Sequence, residues 1–205
     1  MRNNTAVAST VLLPFSTVLA QPAITIEVEN PVLRPGESTV VTMFAGFESG
    51  PFWYAMGGLE TDLRTSVGSD GWTDVTLLRP MVGPGTLPGT PSAAGFDEII
   101  AGQLHFPGAE IFADPTNPIA FWQATYTAPS DPASPFDIEL ETITSRYTVY
   151  FYRDDSGSGS QLADLTEGAA TIRVIPAPAS ALVLASGLAA PRRRREPDPT
   201  ETRDA

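Results

Sequence analysis

Short segments in which apolar and polar residues alternate one by one are the feature that most constrains this fold. The segments 136–144 (FDIELETIT) and 23–29 (AITIEVE) have this pattern, and 136–144 and 146–153 (RYTVYFYR) are the clearest strands. Neighbouring side chains of a strand point to opposite faces of a sheet, so these segments predict strands with one buried face. The other strands are predicted at 38–47, 52–63, 72–81, 96–106, 119–127 and 169–175.

The segments between these predicted strands carry turn residues, and no segment has a strong helical pattern. Gly57-Gly58 predicts a bulge, 83–95 (GPGTLPGTPSAAG) predicts a glycine- and proline-rich loop, and 162–168 is ambiguous. About nine strands without a repeat predict an all-β protein, with 21–175 forming a single antiparallel β-sandwich. The first strand, the Pro35-Gly36-Glu37 turn and the second strand resemble cohesin-like modules of exported bacterial proteins. This resemblance implies a nine-strand jelly roll.

Composition excludes several classes of function. The chain has 205 residues, no Cys, one His and a net charge of −12. It can therefore have neither a disulfide framework nor a thiol nucleophile, and metal sites built from Cys or several His are excluded. The acidic balance argues against nucleic acid or an anionic membrane as the main partner.

The first 20 residues have the pattern of a secretory signal peptide. Arg2 precedes an uncharged, mostly apolar stretch that ends in small Ala20. We expect signal peptidase to cleave between Ala20 and Gln21. The alternative, a buried N-terminal helix, is disfavoured because Pro14 and the β-branched residues suit a long helix poorly.

The C-terminal end has three parts: a Pro-x-Pro element, an uncharged apolar run at 179–190, and an arginine cluster. A helix of those 12 residues would span about 18 Å, against about 30 Å of membrane hydrocarbon. The pattern therefore predicts transient membrane insertion with the arginines left in the cytoplasm, and the alternative is an ordinary tail. The residues concerned are Pro176, Ala177, Pro178, Arg192, Arg193, Arg194 and Arg195.

This three-part order resembles the bacterial PEP-CTERM sorting signal. The resemblance covers 176–195 and implies recognition by an exosortase-type membrane peptidase, in a protein associated with exopolysaccharide and biofilm. Ala177 stands where the family has Glu, Pro191 interrupts the join to the arginines, and an acidic tail follows at 196–205, which we expect to be disordered.

Four residues of the body are candidates for ligand binding. Asp154 and Asp155 begin a turn (DDSGSGS) whose carboxylates could hold calcium, and the alternative is a polar hairpin turn. Trp53 and Trp122 lie in aromatic runs that could line a carbohydrate site, and the alternative is that they belong to the core. The single His105 has no metal-ligating or catalytic partner in the pattern.

These patterns together predict an exported, non-catalytic cell-surface or extracellular-matrix protein that is processed at its C-terminal signal. The alternative is a β-sandwich module that binds carbohydrate or another protein. A glycosidase would require two carboxylates facing each other across a cleft, which a sequence cannot show.

Overall fold

The computed structural model describes residues 21–48, 53–103, 114–146, 148–153 and 160–176. In these ranges the chain forms strands joined by turns and irregular segments, and no helix long and apolar enough to cross a membrane occurs among them. The predicted signal peptide at 1–20 and the sorting segment from Ala177 onward lie outside the described residues. The strands are β1 (Ala23–Val28), β2 (Val32–Leu33), β3 (Ser38–Gly46), β4 (Ala55–Thr65), β5 (Trp72–Leu77), β6 (Leu87–Ser92), β7 (Gly95–Gly102), β8 (Ile119–Thr127), β9 (Phe136–Ile143), β10 (Val149–Tyr152), β11 (Ser160–Ala163) and β12 (Ala169–Val174).

These strands form two sheets that pack face to face. The smaller sheet has the order β1-β3-β8-β5, and the larger has the order β11-β10-β4-β9-β12-β2. In the larger sheet β7 pairs with β4, and β6 pairs with β7. The predicted all-β class is confirmed. The pairing is antiparallel except between β12 and the two-residue β2, which run parallel.

The core lies between the sheets, where alternate side chains of each strand meet. In β3 the inward residues Thr39, Val41, Met43 and Ala45 are all buried. At one end of the core, Trp72 packs against the rings of Tyr126, Phe96 and Trp122 at centroid distances of 5.2, 6.1 and 6.4 Å. Each large apolar side chain buried here contributes about 1.5–3 kcal/mol to the stability of the fold.

The prediction of a loop at 83–95 is wrong, because the middle of this segment forms strand β6. The sequence of β6 (LPGTPS) contains two prolines and a glycine, a composition depleted in strands. The structure accommodates them because β6 pairs only with β7 among the described strands and so forms an edge of the sheet, where proline is tolerated. About nine strands were expected, and the described residues form twelve. The three additional strands are β6 and the short β2 and β11.

The bulge expected at Gly57-Gly58 is confirmed. Tyr150 pairs with Gly58 and Phe151 pairs with Met56, so Gly57 is the extra residue of β4. A bulge re-aims the side chains on either side of it. Here the extra residue brings both Gly57 and Gly58 beneath the Tyr150 ring. Tyr150 itself lies on the outer face of the larger sheet and Phe151 in the core, because successive residues of β10 alternate between the faces.

Candidate docking face and groove

The outer face of the smaller sheet is almost free of charge. Its two central strands, β3 (STVVTMFAG) and β8 (IAFWQATYT), contain no charged residue, although the chain carries a net charge of −12. The charged residues in this sheet lie on its two edge strands, as Glu27 in β1 and Asp74 in β5. We call this surface the docking face. Its outward residues are Thr25, Glu27, Ser38, Val40, Thr42, Phe44, Thr73, Thr76, Ala120, Gln123, Thr125 and Thr127.

Side-chain hydrogen bonds link neighbouring strands across the docking face. The Ser38 and Thr127 hydroxyl oxygens are 2.9 Å apart, and the Gln123 amide donates to the Thr42 hydroxyl at 3.2 Å. Between these polar groups, Val40 and Phe44 are half-buried. The face therefore offers ordered hydroxyls around small apolar areas, which suits contact with another uncharged surface.

The outer face of the larger sheet is acidic. Its carboxylates come from three strands, β4, β7 and β9, and two arginines lie among them. Arg64 bonds to Asp62 at 2.8 Å and to Asp97, while Asp62 also accepts the Glu98 backbone N–H at 2.9 Å. The acidic residues are Glu60, Asp62, Asp97, Glu98, Asp137, Glu139 and Glu141. Several of these acids therefore have structural partners.

A groove of about 460 Å³ crosses the same sheet beside Tyr150. The Tyr150 ring lies against the backbone of Gly57 and Gly58 and meets the Tyr152 ring edge-on at 5.9 Å. Side chains of Glu60 and Arg146 also line the groove. We call it the Tyr150 groove.

Comparisons with known proteins bear on the fold alone. No protein-family model matches the chain, and no curated protein matches it. A solved structure of the seventh ScaB type I cohesin from Pseudobacteroides cellulosolvens is similar at 12% identity and a TM-score of 0.51, covering 86% of this chain and 98% of that one. The body of this chain has a cohesin-like fold.

Two other solved structures resemble it more loosely. A cohesin module from a family 33 glycoside hydrolase of Clostridium perfringens is 10% identical, with a TM-score of 0.46 over 77% of this chain and 98% of that one. A cohesin from a type I cohesin–dockerin complex of Clostridium thermocellum is 14% identical, with a TM-score of 0.45 over 76% and 99%.

Both tryptophans that the sequence singled out pack against the core of the cohesin-like sandwich. Trp122 is fully buried, and its Nε1 donates to the Pro88 carbonyl at 2.8 Å. Trp53 is half-buried and stacks on Phe151 with ring centroids 4.8 Å apart. Trp122 therefore has no ring face open to a ligand, and one face of Trp53 is covered.

Most other predicted site residues cannot be placed. Asp154, Asp155, His105, Ala20, Ala177, Pro178 and the four arginines at 192–195 lie outside the described residues. Gln21 is exposed at the start of the described chain, and Pro176 is half-buried at its end. No group of three or more His, Cys, Asp or Glu suited to a metal occurs in the described part.

Two buried tyrosines have raised pKa values. Burial raises the pKa of Tyr126, and burial followed by the neighbouring Tyr150 raises the pKa of Tyr152 to about 12. Both phenols are therefore neutral at physiological pH.

The docking face and the Tyr150 groove both escaped prediction. The absence of charge in 38–46 and 119–127 is visible in the sequence, but only the sheet order shows that these strands are central neighbours. The glycine pair at 57–58 predicts only a bulge, because its contact with Tyr150 depends on a register that the sequence does not give.

Proposed function

We propose that this chain is an exported, non-catalytic module that binds another protein through its docking face. One observation carries the proposal: the central strands of that face have no charge in a strongly acidic chain. The cohesin-like fold is compatible with it, but likeness at 12% identity concerns the fold only.

The cost of removing water favours the docking face over the acidic face. Burying an unpaired carboxylate costs several kcal/mol, whereas a hydroxyl that keeps a hydrogen bond costs far less. The cores of protein interfaces are depleted in charge, and their rims are polar. The docking face has this distribution, because Glu27 and Asp74 lie on the edge strands at its margins.

The partner we propose is a folded protein with an uncharged contact surface. Its polar side chains would bond to the threonine hydroxyls of β3 and β8, and an apolar side chain would contact Phe44. A strongly basic partner is not expected there, because the carboxylates that would attract it lie on the other sheet.

The chain ends support export and sorting as part of the same proposal. The pattern at 1–20 supports secretion, and the PEP-CTERM-like segment at 176–195 supports processing by an exosortase-type peptidase. The protein would then act at the cell surface or in an extracellular matrix that contains exopolysaccharide.

A pair of matched variants tests the docking face. Thr125→Arg places a long charged side chain at the centre of that face, and Thr171→Arg places the same side chain on an outward position of β12. The partner would be identified by crosslinking in the native host, purified, and titrated against each variant. We expect Thr125→Arg to weaken binding at least about tenfold and Thr171→Arg to leave it within about twofold. Equal binding by both variants would refute the assignment.

The intact mass of the protein recovered from its host tests processing. Loss of 1–20 and of the residues after the Pro-x-Pro element would support secretion and sorting. A mass that extends to Ala205 would exclude the sorting proposal and leave the docking face unaffected.

A further inference from the structure

We infer that the Tyr150 groove binds an uncharged polysaccharide, with one pyranose ring stacked on Tyr150. The groove lies on the larger sheet, so the inference is independent of the docking face.

Two glycines, Gly57 and Gly58, allow the Tyr150 ring to lie flat on the sheet. A Cβ added at Gly57 or Gly58 would lie 2.3 or 2.5 Å from the Tyr150 ring, so any side chain there would collide with it. A Cβ at Gly102, on the next strand, would lie 3.5 Å from the Tyr150 hydroxyl. The ring therefore extends from β10 across β4 towards β7, with one face covering the glycine backbone.

The opposite face of this ring is available as a flat platform. Tyr150 is half-buried and its ring lines the groove. The Tyr152 ring packs against it at 82°, with ring centroids 5.9 Å apart, and this contact restrains the position of the Tyr150 ring. A rigid aromatic platform binds at low entropic cost because its ordering precedes binding.

Polar groups surround the platform. Thr86 lies on one side, and Ser145, Arg146 and Thr148 lie in the segment before β10, with Glu60 on β4. Neither Glu60 nor Arg146 has an ion pair within the described part of the chain. The Glu60 carboxylate can therefore accept a hydrogen bond from one hydroxyl of a ligand, and the Arg146 guanidinium can donate to a neighbouring hydroxyl.

This combination matches the chemistry of a pyranose. One face of a pyranose presents C–H groups, which pack on an aromatic ring, and its rim presents hydroxyls, which bond to charged and polar side chains. The groove is open to solvent. The net charge of −12 opposes a polyanionic ligand, so we assign an uncharged polysaccharide.

Calorimetric titration of the full chain with cellohexaose, xylohexaose and mannohexaose tests the inference. Tyr150→Leu keeps the glycines covered but removes the aromatic face, whereas Tyr150→Phe keeps that face. We expect Tyr150→Leu to weaken binding about five- to tenfold and Tyr150→Phe less than about threefold. Arg146→Ala, on an exposed turn, should weaken binding about fivefold and provides a second variant if Tyr150→Leu does not fold.

Phe44→Leu on the docking face is the matched control, and it should leave sugar affinity unchanged. Three results would overturn the inference: no heat of binding with any of the three hexasaccharides at millimolar concentration, equal affinity of wild type and Tyr150→Leu, or binding only to a polygalacturonate oligomer. None of these results would affect protein binding through the docking face.

Discussion

Replacing two neighbouring core tryptophans by phenylalanine should destabilise the protein by very different amounts. Trp122 and Trp72 lie 6.4 Å apart in one aromatic cluster, and both are buried. The Nε1 of Trp122 donates to the Pro88 carbonyl at 2.8 Å. The Nε1 of Trp72 is buried without a hydrogen-bond partner among the described residues. The two substitutions therefore remove the same atoms but differ in one hydrogen bond.

The magnitudes follow from this difference. Each substitution deletes roughly three buried heavy atoms, which costs about 2 kcal/mol at about 0.8 kcal/mol per methylene-sized group. Trp122→Phe also breaks the hydrogen bond to the carbonyl of exposed Pro88, which adds about 1 kcal/mol. Trp72→Phe removes an unpaired buried donor, which offsets about 1–2 kcal/mol. We expect losses of about 3 kcal/mol for Trp122→Phe and about 0–1 kcal/mol for Trp72→Phe.

Urea unfolding measures both free energies, followed by far-UV circular dichroism because each variant loses a fluorophore. Pro88 lies in β6 and Trp122 in β8, so this hydrogen bond connects the two sheets. Amide exchange in the β6–β7 pair should accelerate in Trp122→Phe and stay near wild type in Trp72→Phe. A Trp72→Phe variant that loses as much stability as Trp122→Phe would refute the reasoning.

Three further predictions concern the pH dependence of stability and two side chains that bond to backbone. The pKa of Tyr152 rises from 10.0 in the unfolded chain to about 12 in the folded protein. The free energy of unfolding should therefore fall by about 2–3 kcal/mol as the pH rises from 10 to 12. Urea unfolding measured across this pH range should show a smaller fall for Tyr152→Phe. Buried Thr142 accepts the Gly168 N–H at 2.7 Å, so Thr142→Val should cost about 1–3 kcal/mol in the same assay, and a loss under about 0.5 kcal/mol would contradict this. Asp62→Ala should cost about 1–2 kcal/mol of stability, because Asp62 bonds to Arg64 and to the Glu98 N–H. Asp137→Ala should cost under about 0.5 kcal/mol, because the contact of Asp137 with Arg173 at 3.7 Å is exposed. Equal losses for the two variants would refute the distinction.

Alternation predicted the strands that have one wet and one dry face. The pattern FDIELETI of β9 and the pattern AITIEV of β1 reappear as alternating exposed and buried residues. Such strands can be recognised in the sequence because each of their residues lies either in solvent or in the core, and its polarity matches that environment. The bulge at Gly57 was predicted for a different reason, because a glycine pair inside a strand pattern often marks one. The structure confirms it by the register shift between β4 and β10.

The strands that escaped prediction are held by tertiary contacts. Nothing within β6 (LPGTPS) favours a strand, and it forms because β7 offers a free edge and Trp122 bonds to Pro88. The two residues of β2 pair in parallel with β12, some 140 positions later in the chain. Tertiary context overrides local preference in both cases.

The candidate site could be predicted only in part, because a binding surface depends on which strands are neighbours. Aromatic runs drew attention to Trp53 and Trp122, yet both pack against the core, since bulky rings in alternating strands are needed to fill a sandwich. Tyr150 is also aromatic and also lies in a run of aromatic residues. What distinguishes it is a floor of glycines contributed by other strands.

The placement of Glu27 and Asp74 favours a partner on the docking face over a partner that extends the sheet. Both residues lie on edge strands, β1 and β5. Thr166 bonds to the start of β1, and the remaining outer backbone groups of the two strands could otherwise accept another strand. Charged side chains on an edge oppose such strand addition, because the added strand would bury them. On β3 and β8 the backbone groups are already paired with neighbours on both sides, and only side chains are offered to solvent. A partner is therefore expected to contact threonine hydroxyls and Phe44 across the flat of the sheet, and its binding should leave the backbone amides of β1 and β5 as exchangeable as they are in the free protein.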